Sequence, residues 1–272
     1  MKLTELAIAI ACLSLPALAA AAAVAAPTDD YSDPIATDRP DFVESSSVVG
    51  KGRVQIETSG AFERSRHDGV VERVVSTPSL LRLGVSDTLE ARIETDGVSH
   101  AWTRGPGSDD NEDASGLADT SFGVKWHVRD GAEGVPALGM LFSVDVPSGA
   151  RRLHSAGVRP SLRGVAEWDL PNDLSLGVMP GLASEHNEAG RRFTSGIFGV
   201  VLGKDWNKRF HSYVEMAAPR IAHARDGGTQ ASAGFGSSYL LTPDCQVDVG
   251  LLGGLNRFTP NVSVTAGISV RL

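Results

Sequence analysis

The chain has 272 residues, a formal net charge of -8 and two cysteines. The acidic balance argues against nucleic acid as a partner. Beyond residue 26 no apolar run is long enough for a membrane-spanning helix, which leaves a β-barrel open, since barrel strands need only about ten residues with every second one apolar.

The N-terminus predicts a secretory signal over residues 1–26. Lys2 supplies a small positive region, Leu6 to Leu18 are apolar, and Ala23-Val24-Ala25 fits the small-x-small cleavage rule. Cys245 is then the one remaining cysteine, so no intramolecular disulfide braces the fold. Residues 27–52 form a polar N-terminal segment containing Asp38-Arg39-Pro40. It is too irregular to sit in lipid, where its backbone groups would lack partners. It is either a periplasmic leader or a plug folded into the barrel mouth. In the plug reading Asp38 and Arg39 pair with inward charges such as Arg82 or Glu90, and Pro40 stiffens the entry.

From residue 53 to residue 272 the chain repeats one theme: about ten residues alternating apolar and polar, then a turn. Val54, Ile56 and Thr58 alternate with Arg53, Gln55 and Glu57. Leu89, Ala91, Ile93 and Thr95 alternate with Glu90, Arg92, Glu94 and Asp96. The last strand sets Val262, Val264, Ala266, Ile268 and Val270 against Ser263, Thr265, Gly267, Ser269 and Arg271. About twelve strands are expected. They start near Arg53, Val71, Leu89, Asp119, Pro136, Pro160, Leu174, Phe193, Phe210, Ala231, Gln246 and Val262.

Connections alternate in length. Val85-Ser86-Asp87-Thr88, Leu170-Pro171-Asn172-Asp173 and Thr242-Pro243-Asp244 are short, whereas Gly105 to Gly116, Ser148 to Gly157 and Ala222 to Thr229 are longer and polar. A soluble sandwich also alternates. One-sided loop lengths with strands pairing in sequence order point instead to an all-β, antiparallel up-and-down transmembrane barrel, which leaves no open sheet edge. Trp126, Trp168, Trp206, Phe210 and Tyr239 fall near strand ends, where an aromatic girdle would sit. The location this implies is the outer membrane, with its lipid and the barrel-assembly machinery as partners.

The lumen-lining candidates are Arg53, Glu57, Arg82, Glu90, Arg92, Glu94, Lys125, Glu167 and Asp248. They would select solutes by charge or fill a narrow interior with ion pairs. About eight strands give a filled barrel and about sixteen an aqueous channel, so about twelve leaves both open. Catalytic signals are weak: His127, His154, His186 and His211 are scattered, none in a metal-ligand spacing, and no G-x-S-x-G occurs. No enzyme activity, cofactor or metal is expected. The leading function is a passive channel for small molecules; the alternatives are a structural or surface-interaction barrel and a rim enzyme.

Three stretches resemble a known family. They are Thr37-Asp38-Arg39-Pro40-Asp41-Phe42-Val43-Glu44-Ser45-Ser46-Ser47-Val48-Val49, Leu80-Leu81-Arg82-Leu83-Gly84-Val85-Ser86-Asp87-Thr88-Leu89-Glu90 and Gly116-Leu117-Ala118-Asp119-Thr120-Ser121-Phe122-Gly123-Val124-Lys125-Trp126. With the ending Gly267-Ile268-Ser269-Val270-Arg271-Leu272, they are similar to the outer-membrane transporter family labelled for the meta-pathway of phenol degradation. The resemblance implies an outer-membrane barrel and extends to hydrophobic or aromatic solutes, though phenol itself is not carried over. Barrels of this kind commonly end in an aromatic residue, and here the last residue is Leu272.

Overall fold

The computed structural model describes residues 34–107, 111–151, 153–187 and 189–272. The predicted signal lies outside them. Among the described residues fifteen strands are present: β1 Val54–His67, β2 Val70–Ser76, β3 Ser79–Gly84, β4 Leu89–Thr95, β5 Val98–Arg104, β6 Glu112–Leu117, β7 Thr120–Arg129 and β8 Ala137–Val146, followed by β9 Arg159–Leu170, β10 Leu174–His186, β11 Arg192–Asp205, β12 Phe210–Ile221, β13 Gln230–Thr242, β14 Cys245–Gly254 and β15 Val262–Arg271.

All belong to one antiparallel sheet, and β15 pairs back onto β1, from Gln55↔Arg271 to Arg64↔Val262. The sheet is therefore a closed barrel of twelve strands. The closed ring runs through β1, β3, β4 and β7 to β15; β2, β5 and β6 extend it above one rim. Each extension continues a ring strand across a short break: Thr77-Pro78 between β2 and β3, Asp96-Gly97 between β4 and β5, and Ala118-Asp119 between β6 and β7. Pro78 has no amide hydrogen for the ladder, yet its carbonyl still accepts from Ser59 N at 2.9 Å. Gly97 takes φ +64°, a conformation that suits glycine.

The expected starts fall within a residue or so of observed strands. Two details are corrected. Gly105 to Gly116 is not wholly a loop, because it contains most of β6. The second, third and fourth courses are interrupted rather than single strands.

The two faces of the wall differ as the alternation predicts. On β7, Phe122, Val124 and Trp126 are 51%, 41% and 48% exposed, while Lys125 between them is fully buried. Met140, Phe142, Val214, Met216, Phe235 and Val249 are likewise exposed apolar residues of the outer surface. Such a belt is costly in water and suited to lipid. Trp126, Trp206, Phe210 and Tyr239 are exposed near the short-turn rim. Ile268 belongs to the outward set of β15 but is buried by Cys245, Val247 and Val270 packed around it.

A charged network and the segment that crosses it

The buried interior is polar because inward positions carry the charges. Gln55, Glu57, Arg82, Glu90 and Lys125 have almost no exposure. Stripping water from such groups is expensive unless each charge finds a partner and each hydrogen-bonding atom is used. Residues 34–49 supply many of those partners.

This segment enters at the short-turn rim, where Ile35 N donates to Pro243 O at 2.7 Å. It then meets one strand after another. Asp38 N donates to Glu57 of β1, Phe42 N to Glu215 of β12 at 2.9 Å, Ser46 N to Glu167 of β9 at 2.5 Å, and Val49 N to Glu90 of β4 at 3.0 Å. Gln246 of β14 donates to Thr37 Oγ1 at 2.8 Å. Acids of the wall thus accept the amides that an irregular segment cannot pair within itself. Apolar packing adds to this: Val43 joins Leu141, Val165 and Met179 in a small cluster inside the barrel. A Cβ on Gly199 would lie 2.7 Å from Val43 Cγ2, so glycine there lets the segment approach.

Asp38 is the hub. Its carboxylate receives Lys125 Nζ at 2.6 and 2.7 Å, Arg92 Nη1 at 2.5 Å, and Ser45 N and Oγ at 2.9 Å each. Arg82 Nη1 lies 3.3 Å away. Arg82 is itself held by Glu90 at 2.8 and 3.0 Å and by Glu57 at 3.1 Å, and it donates to the carbonyls of Ala36 and Ser47. Glu44 is a second hub, 2.7 Å from Arg92 and 2.6 Å from Arg163. Arg82, Arg92, Lys125 and Arg163 thus face Asp38, Glu44, Glu57 and Glu90, a balanced set of charges. Burial works to raise the Asp38 pKa, but Arg82, Lys125 and Arg92 outweigh it and hold the carboxyl well below its usual range.

Of the lumen candidates, Glu57, Arg82, Glu90, Arg92 and Lys125 meet in this network. Glu167 borders it through Ser46. Glu94 faces a cavity above it, and Asp248 sits apart on β14, beside Gly267. Arg53 precedes β1 and is exposed at the rim, where it lines a cavity with Gln55 and Arg271. Arg39 differs from the expected pairing. It does not pair with Glu90; its Nη2 donates to Ser59 Oγ at 3.0 Å. Glu90 is already occupied by Arg82, Arg92 and the Val49 amide. Glu44 and Arg163 were missed. Arg163 shares the inward side of β9 with Val165 and Glu167, so alternation alone could have found it.

The segment lies between two cavities. One of about 530 Å³ opens toward the long-loop rim and is lined by Phe42, Glu94, Asp96, Asp145 and Arg163. The other, about 870 Å³, opens toward the short-turn rim and is lined by Arg39, Asp41, Glu167, His211 and Tyr213. Among the described residues no cluster of His, Cys, Asp and Glu is arranged to hold a metal.

Residues 37–272 match the model of the family described as "Putative MetA-pathway of phenol degradation". The chain belongs to this family. Among solved structures, this family member is similar to an outer membrane channel from Pseudomonas putida F1, with 11% identity, 87% of this chain and 100% of that one covered, and a TM-score of 0.62. It is also similar to the β domain of the Bordetella autotransporter BrkA, with 14% identity, 80% and 98% coverage and a TM-score of 0.53. At these identities the likeness is one of fold: an outer-membrane β-barrel. No curated protein matches the chain.

Proposed function

We propose that this barrel is a passive outer-membrane channel for small molecules, and not an enzyme, with residues 34–49 acting as a plug between its two vestibules. The observation that carries the reading is the placement of Asp38, which ties an irregular segment to the wall through Arg92 and Lys125, with cavities on both sides. Ion pairs suit a seated but displaceable element: they fix position, and in a buried site they add little net stability over apolar packing. The apolar belt supports a lipid-embedded barrel, with the long-loop rim facing outward as in other barrels of this class.

Purified protein reconstituted in planar bilayers tests this. Discrete conductance steps are expected in the full chain, larger in Asp38→Ala. Absence of conductance in both, with the barrel assembled, contradicts the channel and favours a structural barrel, for which a balanced, buried network would also serve.

A further inference from the structure

Charge inside the barrel is compensated unevenly. The cations of the wall have acids beside them. Arg82, Arg92 and Lys125 share Asp38, Arg163 holds Glu44, Arg159 lies 3.2 Å from Asp145, and Arg220 lies 3.8 Å from Glu185. Several wall acids lack such partners. The carboxylates of Glu94 and Asp96 line the outer cavity and make no hydrogen bond or ion pair with another described residue.

Deeper in the barrel, Glu215 is 4% exposed and Asp248 8% exposed. Glu215 gives one oxygen to Phe42 N, while its Oε1 has no partner; Asp248 Oδ1 has none either. A buried carboxyl oxygen without a donor is a costly arrangement that an approaching cation relieves. Near Asp248 the countervailing charge is Arg39, whose Nε is also without a partner. With the segment seated, Arg39 is a single cation set against several wall acids, and the network around Asp38 stays balanced.

We propose that the permeation path prefers cations. It passes small cations and ammonium-bearing solutes, and it holds back carboxylates and phenolates of similar size. This rests on the channel reading. Its physical basis is that a narrow path with low-dielectric walls amplifies the sign of whatever wall charge is left uncompensated. The steps on that path are Glu94 and Asp96 at the outer vestibule, then Glu215 and Asp248 beside the segment. The balanced network around Asp38 contributes no preference of its own.

The test is the zero-current potential of the full-length protein in a planar bilayer under a KCl gradient. The expected sign is that of K⁺ selectivity. The double variant Glu94→Gln/Asp96→Asn and, separately, Glu215→Gln should each move the permeability ratio toward one while conductance persists. Glutamine at 215 keeps an acceptor for Phe42 N, and heat-modifiable gel mobility reports whether each variant still assembles. A potential near zero or of Cl⁻ sign in the full chain overturns the proposal, as does a ratio unmoved in every assembled variant. No conductance at all is a different result: it removes the channel reading, and the cation preference with it.

Discussion

Lys125 Nζ lies within 2.7 Å of both carboxylate oxygens of Asp38, a contact across 87 residues between the middle of β7 and a segment that belongs to no strand. Both side chains are almost completely buried. The pair couples the barrel wall to the element inside it.

Removing one side of this contact leaves the other charge stranded. Asp38→Ala should cost the seated state about 3–5 kcal/mol, because Lys125, Arg92 and Arg82 lose their shared anion at once. Limited proteolysis of assembled barrels should then cut within residues 34–49 far faster than in the parent. Equal protection would mean that backbone bonds to Glu57, Glu90, Glu167 and Glu215 hold the segment without Asp38.

The same pair predicts non-additivity. Lys125→Met alone and Asp38→Asn alone should each loosen the segment, and the double variant should loosen it by less than the sum of the two, since each removes the partner whose loss makes the other harmful. Protease protection of the four proteins measures the coupling. Strict additivity would show that the contact contributes nothing specific.

The pH response has two limbs. Burial tends to raise the Glu44 pKa, but Arg163 and Arg92 outweigh it and lower the carboxyl below its usual range, as the cations do for Asp38. Groups lowered in the seated state stabilise it above their ordinary values of about 4 and lose that contribution as pH falls through the lowered ones. Through these two groups conductance should therefore rise as pH falls below about 4. Asp41 runs the other way: burial, aided by Glu215, raises its pKa well above the usual range. Its contribution is best below the ordinary value and declines as pH rises through the raised one, so Asp41→Asn should tighten the segment at alkaline pH. An Asp41→Asn trace that matches the parent there would refute this assignment.

The face assignment is testable on β7 and β8. Val124→Arg or Phe142→Arg places a charge on the outer belt and should cost about 2–4 kcal/mol if the site lies near the membrane midplane. Ser143→Asn points inward and should cost little. Urea unfolding in lipid vesicles gives both values, and equal costs would mean the faces are reversed.

Much of the fold was legible because lipid outside and polar groups inside impose a strict two-residue period. Val124, Lys125 and Trp126 show that rule at work within three residues. It fails where both faces meet the same medium. β6 reads Glu112-Asp113-Ala114-Ser115-Gly116-Leu117 and lies above the ring, so no apolar stripe marks it. It fails again inside the barrel at Leu141, Val165 and Met179, which are apolar yet inward because Val43 packs on them. Asp38 was readable as an inward partner from its polar setting beside Pro40. Arg39 was not, since its contact with Ser59 depends on how the segment turns, which no periodicity records.

The most direct measurement compares single-channel conductance of the full chain with that of a barrel lacking residues 28–44. The deletion removes Asp38, Arg39, Asp41, Phe42, Val43 and Glu44 while leaving every strand in place. Larger conductance from a barrel that still shifts its gel mobility on heating is the predicted result. Unchanged conductance in an equally well assembled barrel would contradict the account, because the segment would then lie outside the path that solutes take.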